Sequence, residues 1–143
     1  MFPSPRRAGR RERLGRGDAM TSDMEPFFAP HGVAVAGASK SAMKLGNVIL
    51  ANLLRFGFRG GIYPIHPGGG EIMGLAAYPS VRELPGGAEV AVAVLPREGI
   101  LDLVRDCGEA GVSHVVVCAA GFADDGPEGA AMQRRLEETV KGY

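Results

Sequence analysis

Val33-Ala34-Val35-Ala36-Gly37-Ala38-Ser39-Lys40 is the stretch whose reading decides the fold. Its first four residues are apolar and β-prone, and the run is too short for a helix, so it reads as a buried strand ended by Gly37. The spacing then turns helical over Leu45–Phe56, with Leu45, Val48, Ile49, Leu53 and Phe56 on one face. Gly57 stands where a C′ glycine stops a helix. A strand, a glycine turn and a helix make the opening unit of a parallel α/β sheet.

Outward from this unit the alternation repeats. Gly61–His66 reads as a second strand, with Pro64 tolerable only near a strand end or sheet edge. Ala76–Tyr78 is a candidate short strand. Ser80 and Glu83 form a capping-box pattern for one helical turn, closed by Pro85. Glu89–Leu95 is apolar enough to be covered on both faces. Arg97–Ala110 follows as a helix with Ile100, Leu103, Val104 and Cys107 inward and Gly111 after its end. His114–Cys118 reads as another buried strand, and Pro127–Lys141 as a closing helix with Met132, Leu136 and Val140 in line. The series predicts a Rossmann-like, doubly wound parallel sheet of about five strands. Because the last element is a helix, the expected final strand lies beyond this sequence.

The bulk numbers agree with one globular domain. The chain has 143 residues, 45% of them hydrophobic and 22% charged, enough for a single core. Gly 22 and Pro 10 suit glycine-turned βα units, whereas 6% aromatics and no Trp argue against a stacking platform for nucleic acid. No apolar run reaches the ~18 residues needed to cross a bilayer. Net charge is zero but uneven: residues 1–19 hold six Arg against Glu12 and Asp18, and the remainder carries ten basic against fourteen acidic side chains. The basic segment lacks the apolar stretch of a twin-Arg signal, and Gly9, Gly15 and Gly17 break the helix of a transit peptide. Residues 1–24 are therefore expected to be a basic disordered tail, with Met20 or Met24 as a possible true start, and residues 25–143 the domain. Cys107 and Cys118 have neither CxxC nor metal-ligand spacing, so both are expected as buried reduced thiols in a cytoplasmic protein.

In doubly wound sheets ligands bind beyond the carboxyl ends of the strands, where helix N-termini also point. Four segments fall there: Gly37–Gly46, His66-Pro67 with Gly68-Gly69-Gly70, Leu95-Pro96, and Ala119–Phe122. Their small residues let a ligand approach the backbone, and Lys40 and Lys44 flank the first helix start, so the site suits a phosphorylated ligand. A dinucleotide fingerprint is not met: Ser39 stands at its second glycine-type position, and the second strand ends in His66-Pro67 without a carboxylate. No P-loop string occurs. Of the three histidines only His66 faces the crevice, and it reads as structural or ligand-contacting rather than catalytic. Asp124-Asp125 reads as a solvated helix start. No catalytic residue and no metal ligand is identified.

Five stretches together carry a resemblance: Val33–Gly46 (VAVAGASKSAMKLG), Gly60–Gly74 (GGIYPIHPGGGEIMG), Ala77–Leu84 (AYPSVREL), Val90–Pro96 (VAVAVLP) and Val115–Ala123 (VVVCAAGFA). In order and spacing they resemble the N-terminal CoA-binding domain of NDP-forming acyl-CoA synthetases, relatives of the succinyl-CoA synthetase α subunit. The resemblance implies coenzyme A as ligand, with Gly37, Ser39, Lys40, Lys44 and Gly46 around its phosphates and Pro67 and Gly68 near the nucleotide. Leu95, Pro96, Ala119, Ala120, Gly121 and Phe122 would line the pantetheine path. Two positions depart from the pattern: His66 replaces the usual Asn, and Ala119 the usual Ser. The family's reaction converts acyl-CoA, phosphate and NDP to acid, CoA and NTP through a phosphohistidine on another domain, so this chain is expected to bind CoA or acyl-CoA and work with further synthetase domains or a subunit. An autonomous CoA-binding module is the alternative, and an NAD(P)-dependent oxidoreductase fragment a third. Neither nucleic acid nor membrane is expected as a partner.

Overall fold

The computed structural model describes residues 23–41 and 43–143. The expected basic tail lies outside them, except that residues 23 and 24 belong to a helical segment, α1, over 23–28.

Four strands form one parallel sheet in the order β2-β1-β5-β6. They are β1 (Gly32–Ala36), β2 (Gly61–Ile65), β5 (Val90–Ala93) and β6 (His114–Val117). In register, Val33 lies opposite Ile62 and Val90, Ala36 opposite Ile65 and Ala93, and Val90 opposite His114. A separate antiparallel hairpin pairs β3 (Gly70–Ile72) with β4 (Leu75–Ala77). Its turn places Met73 and Gly74 at φ 53 and 78. Positive φ at both central residues is the geometry that matches the twist of the flanking strands. The hairpin leans on the outer edge of β2, where the Tyr78 N–H donates to the Pro64 carbonyl and the His66 N–H to the Tyr78 carbonyl, both at 2.9 Å. Pro64 can sit in β2 because this is an edge.

Strand alternation sorts the core into two halves. Val33 and Val35 face α2 (Leu45–Arg55) in a cluster with Leu50, Ile72 and Ala77. Ala34, Ala36, Ala91 and Ala93 face the other side, where α3 (Arg97–Ala110) buries Ile100, Leu103, Val104 and Cys107. Alanines on that face let α3 seat its larger side chains directly on the sheet, while valines fill the space under α2. Helix α4 (Gly126–Val140) packs beside α3, and Gly111, at φ 77, ends α3 as expected. Layers of helix, sheet and helix make the doubly wound α/β arrangement foreseen, with four parallel strands.

Several details differ from the sequence reading. Helix α2 turns Gly46, Asn47 and Leu50 inward, leaving Leu45, Val48 and Phe56 at 54%, 48% and 78% exposure. The helix is apolar almost all round, so periodicity could not choose its face; the small Gly46 did, by allowing close approach to the sheet. Strand β6 is half-buried because it is the other sheet edge. The Ser80 hydroxyl accepts from the Arg82 N–H rather than completing a box with Glu83, and the turn is a single 3-10 turn, Val81–Glu83. The Glu89 carboxylate tethers the start of β1: the His31 backbone N–H donates to it at 2.7 Å and holds its pKa below the ordinary carboxylate value.

The cysteines also separate. Cys107 is buried, and desolvation pushes its thiol pKa up to about 12, with a smaller contribution from Asp106, whereas Cys118 is exposed. A thiol reagent at about pH 8 should therefore modify Cys118 readily and Cys107 only on unfolding, because the thiolate is the reacting form. Equal rates, followed by peptide mapping, would contradict the burial. The unfolded chain loses the Cys107 proton first, so this group lowers stability as pH rises from about 9 toward 12.

Candidate functional site at the strand ends

The carboxyl ends of the four strands gather the predicted segments along one edge. Gly37 leaves β1 at φ 95, and a Cβ there would overlap the Val94 carbonyl, so only glycine fits the turn. The chain then crosses to α2, whose second residue, Gly46, is backed onto the same turn: a Cβ on it would lie 2.5 Å from the Gly37 oxygen. Lys44 occupies the N-cap position, and no side chain caps the helix. The Asn47 and Val48 N–H groups return to the Lys44 carbonyl at 2.9 and 3.3 Å, and the Leu45 and Gly46 donors find no backbone acceptor among the described residues.

Asn47 was not picked out by the sequence, yet it is the buried polar side chain of the site, 4% exposed. Its Oδ1 accepts from the Ser39 N–H at 3.0 Å, and its Nδ2 donates to the carbonyls of Ser39 at 2.6 Å and Ser41 at 2.9 Å. The Ser41 N–H in turn donates to the Ser39 hydroxyl at 3.1 Å. Ser39 thus uses its backbone N–H inside the loop and keeps its O–H to offer outward. The signal in the sequence was one amide inside an otherwise apolar helix start, Leu45-Gly46-Asn47-Val48.

Three shallow clefts lie along the edge, lined by neighbouring stretches of chain. The first, about 520 Å³, lies between α2 and the β3–β4 hairpin and takes Ser39, Lys40, Asn47 and the unforeseen Glu71. The second, about 220 Å³, is lined by Gly37, Pro67, Leu95 and residues of α3. The third, about 430 Å³, takes Pro96, Arg97, Ala120 and Gly121. The loop 37–40 joins the first to the second, and Leu95-Pro96 joins the second to the third. Such a row suits an elongated ligand better than a compact one.

Other predicted residues take different parts. Lys44 and Gly68 are exposed beside these clefts rather than lining them. Ala119 and Phe122 pack against the core, leaving Ala120 and Gly121 as the cleft-facing pair. Gly121, at φ 94, offers its carbonyl to Arg97 Nη1 at 3.0 Å. Gly129 of α4 backs against the Phe122 carbonyl, where any Cβ would overlap it. His66 keeps the turn bond an Asn would make: its Nδ1 accepts from the Gly68 N–H at 3.0 Å. His31 lies with Glu89, away from the strand ends, and His114 is beside Ser113. Asp125 is not simply solvated, since it pairs with Arg97 at 3.2 Å.

Charge is uneven along the row. Arg97 is neutralised by Glu98 and Asp125, each at 3.2 Å. Among the described residues no carboxylate lies within ion-pair distance of Lys40 or Lys44. The positive potential therefore collects at the α2 start, where the helix dipole adds to it. No group of three His, Cys, Asp or Glu among the described residues could hold a metal ion, and no helix among them is long and apolar enough to cross a membrane.

Residues 31–140 match the CoA binding domain family. The chain is 38% identical over 121 residues to the α subunit of ADP-forming acetate–CoA ligase II of Pyrococcus furiosus, covering 84% of this chain and 26% of that protein. It superposes with a TM-score of 0.80 and 41% identity on the apo form of the dinucleotide-forming acetyl-coenzyme A synthetase 1 of Ca. Korarchaeum cryptofilum, covering 84% of this chain and 26% of that one. A conserved hypothetical protein of Pyrococcus furiosus matches with a TM-score of 0.62 and 34% identity over 76% of this chain and 86% of its own length. The chain spans about a quarter of the ligase subunit and of the synthetase chain. With the fold, the glycine-backed helix start and the family match in agreement, the chain belongs to the CoA-binding domain family and is homologous to one part of the ADP-forming acyl-CoA synthetases.

Proposed function

We propose that this chain is the CoA-binding part of an NDP-forming acyl-CoA synthetase, acting in the cytoplasm and binding CoA or acyl-CoA without catalysing the reaction alone. One observation carries the reading: the uncapped α2 start, pressed onto the Gly37 turn by Gly46 and flanked by Lys40 and Lys44, presents N–H donors and positive charge together. A diphosphate there meets both the helix dipole and two ammonium groups. Pro67 and Gly68 then border the nucleotide, and Leu95, Pro96, Ala120 and Gly121 the pantetheine arm, with Ala119 and Phe122 supporting that wall from the core. Gly37, Ser39 and Gly46 shape the phosphate end.

In the full reaction, acyl-CoA, phosphate and NDP give acid, CoA and NTP. The phosphohistidine and nucleotide-binding parts belong to the remainder of the synthetase, in the same chain or a partner subunit. The three histidines of this chain are engaged as turn, tether or strand-end groups, which supports a binding rather than a phosphoryl-carrying role.

Titration calorimetry of the full chain with CoA, with NAD and dephospho-CoA as controls, tests the proposal. CoA should bind and NAD give little heat. Lys44→Glu should weaken CoA at least tenfold, about 1.4 kcal/mol, while leaving the melting temperature almost unchanged. An unaltered affinity in that variant removes the cradle, and no CoA binding by folded wild-type chain removes the function. A second reading, an autonomous CoA-binding module, is favoured by the Pyrococcus furiosus protein of which this chain covers 86%. A nicotinamide-dependent reading has less support, because β2 runs into His66 rather than a carboxylate.

A further inference from the structure

Resting on that reading, we infer that Asn47 is a positioning residue that holds the Ser39–Ser41 loop in its ligand-receiving shape before any ligand arrives. Unaided, a loop of this composition would not hold one shape. Ser39, Lys40 and Ser41 have no β-ladder or helix to satisfy their backbone groups, and Gly37 before them adds conformational freedom. Without a partner the segment would sample many shapes, and a ligand would have to order it on binding.

Asn47 removes that requirement from inside the fold. Its backbone is fixed by the first turn of α2, and its side chain reaches back six and eight residues to bond Ser39 twice and Ser41 once. An amide is the side chain suited to the task, because one oxygen must accept from an N–H while one nitrogen donates to two carbonyls. The three bonds are part-buried although Asn47 itself is 4% exposed, and no buried side-chain nitrogen or oxygen among the described residues lacks a partner. Ser41 closes the arrangement by donating to the Ser39 hydroxyl. The carbonyls of Ser39 and Ser41 are thereby drawn onto Asn47 and kept from an arriving phosphate, which they would repel. A Gly46 with no Cβ is what allows Asn47 to come this close: the residue before it lies against the Gly37 carbonyl.

The test combines amide hydrogen exchange with CoA titration on the full chain. In Asn47→Ala, exchange at the Ser39 and Ser41 amides should rise at least tenfold while amides of α3 and β5 stay within twofold of wild type. CoA affinity should fall at least tenfold. Binding CoA should restore protection of the Ser39 and Ser41 amides in the variant by a much larger factor than it adds in wild type, a signature that general destabilisation would not produce. Asn47→Asp, which keeps the volume and the Ser39 N–H acceptor but turns an oxygen toward two carbonyls, should raise exchange at Ser41 and lower CoA affinity in the same way if the alanine variant fails to fold. Unchanged loop exchange, or increased exchange with unchanged affinity, overturns the inference. Failure of the wild-type chain to bind CoA would instead overturn the proposed function, and the ligand-free exchange comparison would still decide whether Asn47 sets the loop.

Discussion

Gly37→Ala is expected to lower the melting temperature of the chain by about 10 °C or more. Two effects add. The φ of 95 is a left-handed conformation that an L side chain adopts at a cost of about 1–2 kcal/mol. The new methyl would also overlap the Val94 carbonyl, so the ends of β1 and β5 must separate, and such overpacking costs typically about 1–3 kcal/mol. Together they remove a large part of a domain stability of about 5–15 kcal/mol, at a few degrees per kcal/mol. Thermal unfolding followed by circular dichroism measures this directly. A melting temperature within about 2 °C of wild type would mean that the turn has another conformation.

Gly46→Ala tests the other side of the same contact and should fall mainly on the ligand. Intrinsically alanine is the better helix residue by about 0.5–1 kcal/mol. Here its methyl would stand 2.5 Å from the Gly37 oxygen and 3.0 Å from the Ala38 nitrogen, backbone atoms that cannot swing aside. The start of α2 must move away from the strand end, carrying the Leu45 and Gly46 donors with it. CoA affinity is expected to drop at least thirtyfold, about 2 kcal/mol, in calorimetry. Gly99→Ala is the control: also in the first turn of a helix, its added methyl would meet only Leu95 at 3.6 Å, an ordinary contact, and the variant should be as stable as wild type or more so. Equal ligand affinity in wild type and Gly46→Ala would dissociate the helix start from binding.

The order of strands and helices from β1 onward was legible because apolar runs such as Val33–Ala36 and Val90–Ala93 alternate with helical spacing, and Gly57 and Gly111 follow the ends of α2 and α3. The hairpin Gly70–Ala77 was harder: Gly68-Gly69-Gly70 reads as loop, and three-residue strands carry too little periodicity to register, so only its second strand was foreseen, at Ala76–Tyr78 rather than Leu75–Ala77. The inward face of α2 was legible only in part: Ile49 and Leu53 pack against the core but Leu45, Val48 and Phe56 do not, since a helix with Leu, Val, Ile and Phe on most sides can bury several of them and the choice is made by backbone approach at Gly46. At the site, the glycines and lysines announced themselves through residue type. Asn47 did not, because a single amide in a helix looks like a solvated position until the loop it faces is folded over it. His66, a departure from the family pattern in the sequence, makes a turn bond of its own, as its ring nitrogen accepts from the Gly68 N–H.

The half-buried edge strand β6 bears on how this protein behaves in a tube. His114–Val117 offers one flank of its backbone to solvent among the described residues, and Val115, Val116 and Val117 carry neither charge nor proline to deter a neighbour. At the concentrations calorimetry demands, loss of soluble material should scale with protein concentration rather than with temperature alone, since strand-to-strand association needs no unfolding. The proposed ligand row passes the carboxyl end of β6 at Ala120 and Gly121 but does not run along its flank, so a well-liganded sample should still self-associate.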